Sequence, residues 1–193
     1  MIAIIEYNAG NITSVKNAVE RLGFECIITN VHEKILEANH VIFPGVGEAK
    51  SAMKYLKEKH LDILISSLTQ PVLGICLGQQ LLCQFSEEGS TECLGIFDAK
   101  VKRFPPSYIV PHMGWNGINR FQSEHLFKDI VENADLYFIH SYYCELSPHT
   151  VAESDYILRF SAAMNKNNFY ATQFHPEKSS FIGEKILKNF LLL

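Results

Sequence analysis

The 193-residue sequence is poor in the residues that mark a secreted, membrane-bound or metal-stapled chain. It has one tryptophan and five cysteines, Cys26, Cys76, Cys83, Cys93 and Cys144. Their number is odd and none forms a C-x-x-C pair, which argues against a disulfide framework and a zinc-thiolate centre, so neither a metal nor another cofactor is expected. No apolar run approaches the ~20 residues needed to span a bilayer. The start, Met1-Ile2-Ala3-Ile4-Ile5-Glu6, lacks the basic n-region of a signal peptide, so a cytoplasmic location is expected. Basic patches are also missing. Seventeen Lys and Arg stand against 21 Asp and Glu, a net charge of −4 without basic clusters interleaved with aromatics, so neither nucleic acid nor a membrane surface is an expected partner. With no repeat and no Gly-, Ser- or Pro-rich linker, residues 1–193 read as a single domain.

What is present is a globular composition, 47% hydrophobic and 20% charged, in a chain long enough to bury roughly 70% of its unfolded surface. Short apolar runs at Ile2–Tyr7, Phe24–Thr29, His40–Phe43 and Val72–Cys76 read as strands. Between them lie helical patterns: Val15, Ala18, Val19 and Leu22 share one face and stop at Gly23, and further helices are expected over Ala49–Glu58 and Leu61–Leu68. This alternation predicts an α/β fold with a doubly wound, mostly parallel sheet. From Leu94 the rhythm changes. Runs at Ile96–Phe104, Tyr108–Pro111, Ala134–Ser141, Phe160–Asn165 and Phe169–Phe174 follow with few helical patterns between, suggesting an antiparallel extension of the sheet before a closing helix over Phe181–Leu191.

In open α/β sheets the reactive groups gather at the carboxyl ends of the strands. Three such ends carry unusual residues. Gly74-Ile75-Cys76-Leu77-Gly78 has the G-x-nucleophile-x-G form of a strained strand-to-helix turn, and a helix N-terminus there favours thiolate over thiol. The plainer reading is a buried, inert cysteine. His175-Pro176-Glu177 offers a base and an orienting carboxylate within three residues, with Pro176 restricting both neighbours. A strand-end turn with an exposed carboxylate fits the same residues, and the pattern recurs at His60-Leu61-Asp62, which lies in an amphipathic helical stretch and is set apart by that context. Pro44-Gly45-Val46-Gly47 has two glycines able to turn successive N–H groups toward an anion and, with the Leu77 N–H, to build an oxyanion hole.

Together these strand ends resemble the class I triad glutamine amidotransferases, a flavodoxin-like fold family. Tyr7-Asn8-Ala9-Gly10-Asn11, Pro44 to Gly47, Cys76-Leu77-Gly78-Gln79-Gln80, Ser86-Glu87-Glu88-Gly89, Pro111-His112-Met113-Gly114-Trp115-Asn116, His140-Ser141-Tyr142-Tyr143 and Gln173 to Ser179 are similar to the glutaminase subunits of imidazole glycerol phosphate synthases within that family. The resemblance implies Cys76 as nucleophile, His175 as general base and then acid, and Glu177 as its orienting carboxylate. It implies oxyanion donors at Leu77 and in Val46–Gly47, and glutamine binding at Gln80, Ser141 and Tyr142. It also implies a docking surface at Asn8, Asn11, Met113, Trp115 and Lys178 for a (βα)8-barrel cyclase subunit, which would receive ammonia and form imidazole glycerol phosphate and an aminoimidazole carboxamide ribotide.

The branched Val46, where Pro-Gly-Gly is common in related amidotransferases, predicts a resting oxyanion hole that is incomplete until partner and nucleotide reorganise Gly45–Gly47. Three further departures stand out: Gln79 for a common methionine, Ile109 near where a basic residue is common, and Ile157 for a common glycine. The last two leave open an alternative acceptor, a sugar amidated by a related barrel partner for surface polysaccharide. Cys26, Cys83, Cys93 and Cys144 are expected to be packing residues, and His112 and His140 to hold backbone hydrogen bonds.

Overall fold

The computed structural model describes every residue except Asn8, Ala9, Asn11, Arg120, Gln122 and Ser123. The chain runs β1 (Ile2–Ile5), α1 (Ile12–Arg21), β2 (Cys26–Thr29), α2 (His32–Leu36), β3 (His40–Phe43), α3 (Ala49–Glu58), α4 (Leu61–Ser67), β4 (Val72–Ile75) and α5 (Leu77–Leu82). Short strands β5 (Phe85–Ser86), β6 (Thr91–Glu92) and β7 (Lys100–Arg103) follow, then β8 (His112–Gly117), β9 (Asp135–His140), β10 (Tyr142–Cys144), β11 (Thr150–Tyr156), β12 (Leu158–Lys166), β13 (Phe169–Thr172) and α6 (Ser180–Leu191).

The main sheet has the order β11-β12-β13-β4-β3-β1-β2. From β2 to β13 neighbouring strands are parallel, and β12 and β11 extend that edge antiparallel. Period-two alternation divides the apolar residues between two cores, as a sheet covered on both faces requires. Ile4, Ile42 and Ile75 join Val15 and Val19 of α1 and Ile186, Leu187 and Phe190 of α6. Ala3, Val41 and Phe43 face Met53, Leu56, Leu64 and Leu81 of the opposite helices. Gly23 closes α1 at φ 84°, the left-handed conformation that favours glycine.

The later part of the chain departs from expectation. Residues 108–111 form no strand: Pro105, Pro106 and Pro111 remove ladder donors on both sides, and Tyr108 and Ile109 lie exposed. Strands β7 and β9 do not extend the main sheet. Strand β7 joins β10, β5 and β6, and β9 pairs with β8 as a two-stranded ribbon. Ile157 turns the β11–β12 hairpin at φ 63°, a conformation costing a branched residue about 1 kcal/mol.

The sheet order places the carboxyl ends of β13, β4 and β3 side by side, with β4 in the middle. These are the three strand ends singled out in the sequence.

Candidate active site

Strand β4 delivers Cys76 into a turn with φ 53° and ψ −104°, a backbone state that only a tightly supported elbow retains. The support is close packing against glycine. A Cβ added at Gly78 would lie 1.9 Å from the Phe43 carbonyl oxygen, and one at Gly74 would lie 2.7 Å from Leu82 Cδ1 and 3.0 Å from the Gln79 nitrogen. Helix α5 can therefore lean directly on the end of β3. The Cys76 N–H donates to Thr172 O at 2.7 Å, tying the elbow to β13. Its side chain is buried, with Sγ 3.8 Å from Ile139 O and accepting from Gln173 Nε2 at 3.6 Å.

His175 follows β13 in extended conformation, and Pro176 opens a single 3-10 turn over residues 176–178 that brings Glu177 back beneath the ring. His175 Nδ1 lies 2.7 Å from Glu177 Oε1, with the two side chains 2% and 1% exposed. The His175 N–H donates to Tyr137 O at 2.9 Å, and its carbonyl accepts from Ser179 Oγ at 2.6 Å. Burial pulls the imidazole pKa down, but the Cys76 sulfur and the Glu177 carboxylate more than offset it and raise the group to about 10. Nε2 makes no formed hydrogen bond in this resting geometry, and Cys76 is the group whose charge acts on the ring most strongly. Cys76 thus lies close enough to the His175–Glu177 pair for its sulfur to act on the ring, whereas the exposed His60 sits at a helix start.

Cys76 opens on a cavity of about 290 Å³ lined by Val46, Gly47, Leu77, Gln80, Ser141, Tyr142 and Glu88, among others. Gln80 Nε2 donates to Tyr142 O at 2.9 Å and to Gln173 Oε1 at 3.0 Å. Gln79 is fully buried and donates to Ser161 O at 2.9 Å, so the residue that stands in for a common methionine anchors α5 to β12. The segment expected to supply oxyanion donors is turned the wrong way for an anion. The Leu77 N–H donates to Gly45 O at 3.2 Å, and because a trans peptide sets C=O and N–H on opposite sides, the Val46 N–H points away from Leu77. Val46 O accepts from the Gly10 N–H at 3.2 Å.

Met113 and Trp115 project from β8, 65% and 55% exposed, and the Trp115 ring meets Tyr137 edge-on at 6.0 Å. Lys178 Nζ lies 6.0 Å from the same tyrosine ring, so Trp115 and Lys178, both expected at a docking surface, gather around Tyr137. Asn8 and Asn11 lie outside the described residues. Cys83 and Cys144 pack as expected, fully buried with their sulfurs 3.5 Å apart.

Sequence reasoning missed two features. Glu88, quoted only as part of a motif, lines the cavity with a carboxylate whose Oε2 accepts from the Ala49 N–H at 2.8 Å, and burial raises its pKa. The second is a correction: His140 does bond a carbonyl, Tyr142 O at 2.7 Å, but the His112 ring bonds His140 and Asn116 rather than backbone. Among the described residues no group of three or more His, Cys, Asp or Glu is placed to hold a metal, and no helix is long and apolar enough to cross a membrane.

The glutamine amidotransferase class-I family model matches residues 3–193. The chain is 58% identical over 195 residues to imidazole glycerol phosphate synthase subunit HisH of Bacteroides fragilis (strain YCH46), spanning 100% of this chain and 99% of that protein. It is 55% identical over 193 residues to the Bacteroides thetaiotaomicron protein of the same name, spanning 98% of each. A solved glutamine amidotransferase shares the fold at TM-score 0.77 and 18% identity, over 100% of this chain and 98% of that one.

Proposed function

The chain belongs to the class I glutamine amidotransferase family, and we propose that it is the glutaminase subunit of an imidazole glycerol phosphate synthase, hydrolysing L-glutamine and passing the ammonia to a barrel-shaped cyclase subunit in histidine biosynthesis. The observation that carries the reading is Cys76, buried on the wall of a cavity of about 290 Å³, with its sulfur acting on the buried His175–Glu177 pair.

The chemistry follows from the geometry. Cys76 Sγ attacks the side-chain carbonyl carbon of glutamine, and the carbonyl π electrons move to oxygen. His175, carrying a proton on Nε2, gives it to the departing amide nitrogen, so that ammonia leaves and a γ-glutamyl thioester remains. Water then attacks the thioester, His175 takes its proton, and the carbon–sulfur bond breaks to release glutamate. Glu177 fixes the imidazole through Nδ1 and stabilises its charged form. Gln80, Ser141 and Tyr142 hold the amino acid end of the substrate. Glu88 is the cavity carboxylate suited to the α-ammonium group.

The oxyanion hole in this state is filled by the Gly45 carbonyl. Turning over the Gly45–Val46 peptide would direct the Val46 N–H beside that of Leu77, and docking of the cyclase with its phosphoribosyl-formimino nucleotide is the event that favours the turned state. The partner seats on Met113, Trp115 and Lys178, and its cyclisation yields imidazole glycerol phosphate and the aminoimidazole carboxamide ribotide. Ile157 carries no argument for a sugar acceptor, because its φ of 63° preserves the backbone state of the glycine it replaces.

Two measurements test the reading. A glutamine-analogue electrophile should leave a covalent adduct on Cys76 by mass spectrometry, and the chain should restore growth to a histidine auxotroph lacking this subunit when the cognate cyclase is present. Full glutaminase turnover in the isolated subunit would contradict the turned-peptide account, and failed complementation with a stable complex present would contradict the histidine assignment.

A further inference from the structure

Strand β8 presents two faces with different chemistry. Met113 and Trp115 point outward, while His112 is buried at 3% exposure between Tyr156, stacked at 4.0 Å, and Phe138, stacked at 5.0 Å. From His112 a line of hydrogen bonds runs inward. Asn116 Nδ2 lies 3.3 Å from His112 Nε2, His112 Nδ1 lies 3.1 Å from His140 Nε2, and His140 Nδ1 lies 2.7 Å from Tyr142 O. The Tyr142 carbonyl also accepts from Gln80, whose amide reaches Gln173, and Gln173 donates to Cys76 Sγ.

The tautomers of both rings are fixed by their neighbours. Tyr142 O can only accept, so His140 Nδ1 carries the hydrogen and Nε2 is bare. The His112 Nδ1 must then donate, which leaves His112 Nε2 bare to accept from Asn116. Each ring donates once and accepts once, in one direction, and a second proton on either would set two hydrogens against each other. Burial keeps them neutral, pulling His140 down to about 3 and His112 down to about 4.

We propose that His112 and His140 are positioning residues for the glutamine cavity: through this one-way chain, strand β8 with its docking face sets the Tyr142 carbonyl and the Gln80 side chain that form the substrate wall. The chain touches the triad only at its far end, through the long Gln173–Cys76 contact of 3.6 Å, whereas the backbones of Cys76 and His175 are held by Thr172, Tyr137 and Ser179. Loss of the chain should therefore loosen substrate binding while leaving the thiol's intrinsic reactivity in place. This inference rests on the glutaminase reading, and its test keeps the two apart.

The test is glutaminase kinetics of the complex with its cyclase partner, wild type against His112→Phe and Asn116→Asp. The first keeps an aromatic ring between Tyr156 and Phe138 but removes both hydrogen bonds. The second keeps the side-chain shape but sets a carboxylate oxygen against the bare His112 Nε2 and against the Asp155 carbonyl that Asn116 also bonds, so the chain, whose direction Tyr142 O fixes, loses its first donor. Both should raise the KM for glutamine about tenfold, with kcat, the Kd for the cyclase subunit and the rate of Cys76 alkylation by iodoacetamide each within about threefold. Should His112→Phe not fold, Asn116→Asp carries the test alone. An unchanged KM in a folded variant, or a fall in kcat that follows the fraction of titratable Cys76, overturns the proposal while the glutaminase reading stands. No glutamate release from the wild-type complex would overturn both.

Discussion

Gly78→Ala probes the elbow at its tightest point. The added Cβ would fall 1.9 Å from the Phe43 carbonyl oxygen and 3.1 Å from its carbonyl carbon, both backbone atoms at the end of a central strand. A comfortable carbon–oxygen approach is about 3.3 Å, so α5 must retreat by about 1.4 Å. No flexible side chain can absorb that movement. Forced overpacking costs about 1–3 kcal/mol, and a fixed backbone neighbour places this case near 3 kcal/mol, a fall in Tm of about 6–12 °C for a chain of this size. Because Leu77 and Gln80 ride on the same helix and Cys76 at its start, the retreat also displaces the nucleophile, and an error of about 1 Å costs about 100-fold in turnover. Urea unfolding gives the first quantity and glutamate release from the cyclase complex the second. Gly117→Ala is the control, since its nearest neighbours are 3.8–3.9 Å away. If Gly78→Ala kept stability within about 0.5 kcal/mol of wild type, the range of an ordinary surface change, and activity within about threefold, the close-packed elbow would be refuted.

Three other outcomes are expected. Glu177→Gln keeps the volume beneath His175 but removes the charge that helps raise it to about 10; kcat should fall by about 10³–10⁴ with the KM for glutamine within about threefold in steady-state assays. Trp115→Ala should leave the melting temperature within about 2 °C, since the side chain is half exposed, and weaken cyclase binding by at least about 2 kcal/mol in calorimetric titration. Acid sensitivity should reflect the buried imidazoles: His112 and His140 are lowered to about 4 and about 3 in the fold, so the unfolded chain binds more protons than the native one below its ordinary histidine pKa of about 6.5. The share of the stability that rests on these two rings is then complete above that pH and lost as the pH falls toward 4 and 3, opposite in sign to the share from the raised His175, and His112→Phe should lessen the slope between about pH 6 and 5 by about 1 kcal/mol per pH unit in urea titrations.

How far the sequence could be read depended on whether a feature was local. Strand His40–Phe43 and helix Ala49–Glu58 match their expected bounds because period and flanking residues decide them together. The candidate site residues could be singled out because each lies at a strand end with glycine two positions away, as at Cys76, or with proline next to it, as at His175 and Glu177. Their adjacency could not be read off, since nothing local states that β13, the last strand of the chain, inserts next to β4. Residues 108–111 misled because the apolar run Tyr108-Ile109-Val110 lies among prolines that deny it a ladder. The contact between His112 and His140 was hidden for a similar reason, although the backbone bond expected of His140 is present. They are 28 residues apart and meet only because β8 and β9 pair in a register that sets them directly opposite each other. Glu88 needed the cavity to give it a role, since a glutamate in a turn resembles any solvated acid until the neighbouring walls are placed.

We propose that Cys76 releases ammonia from glutamine for use by the partner. It is tested most directly by following the nitrogen of amide-labelled glutamine in the complex with the cyclase and its nucleotide substrate, in excess unlabelled ammonium. The account predicts imidazole glycerol phosphate carrying the heavy nitrogen almost completely, and none from glutamine once Cys76→Ala is introduced. Product formed with unlabelled nitrogen, or labelled product from the Cys76→Ala complex, would contradict it.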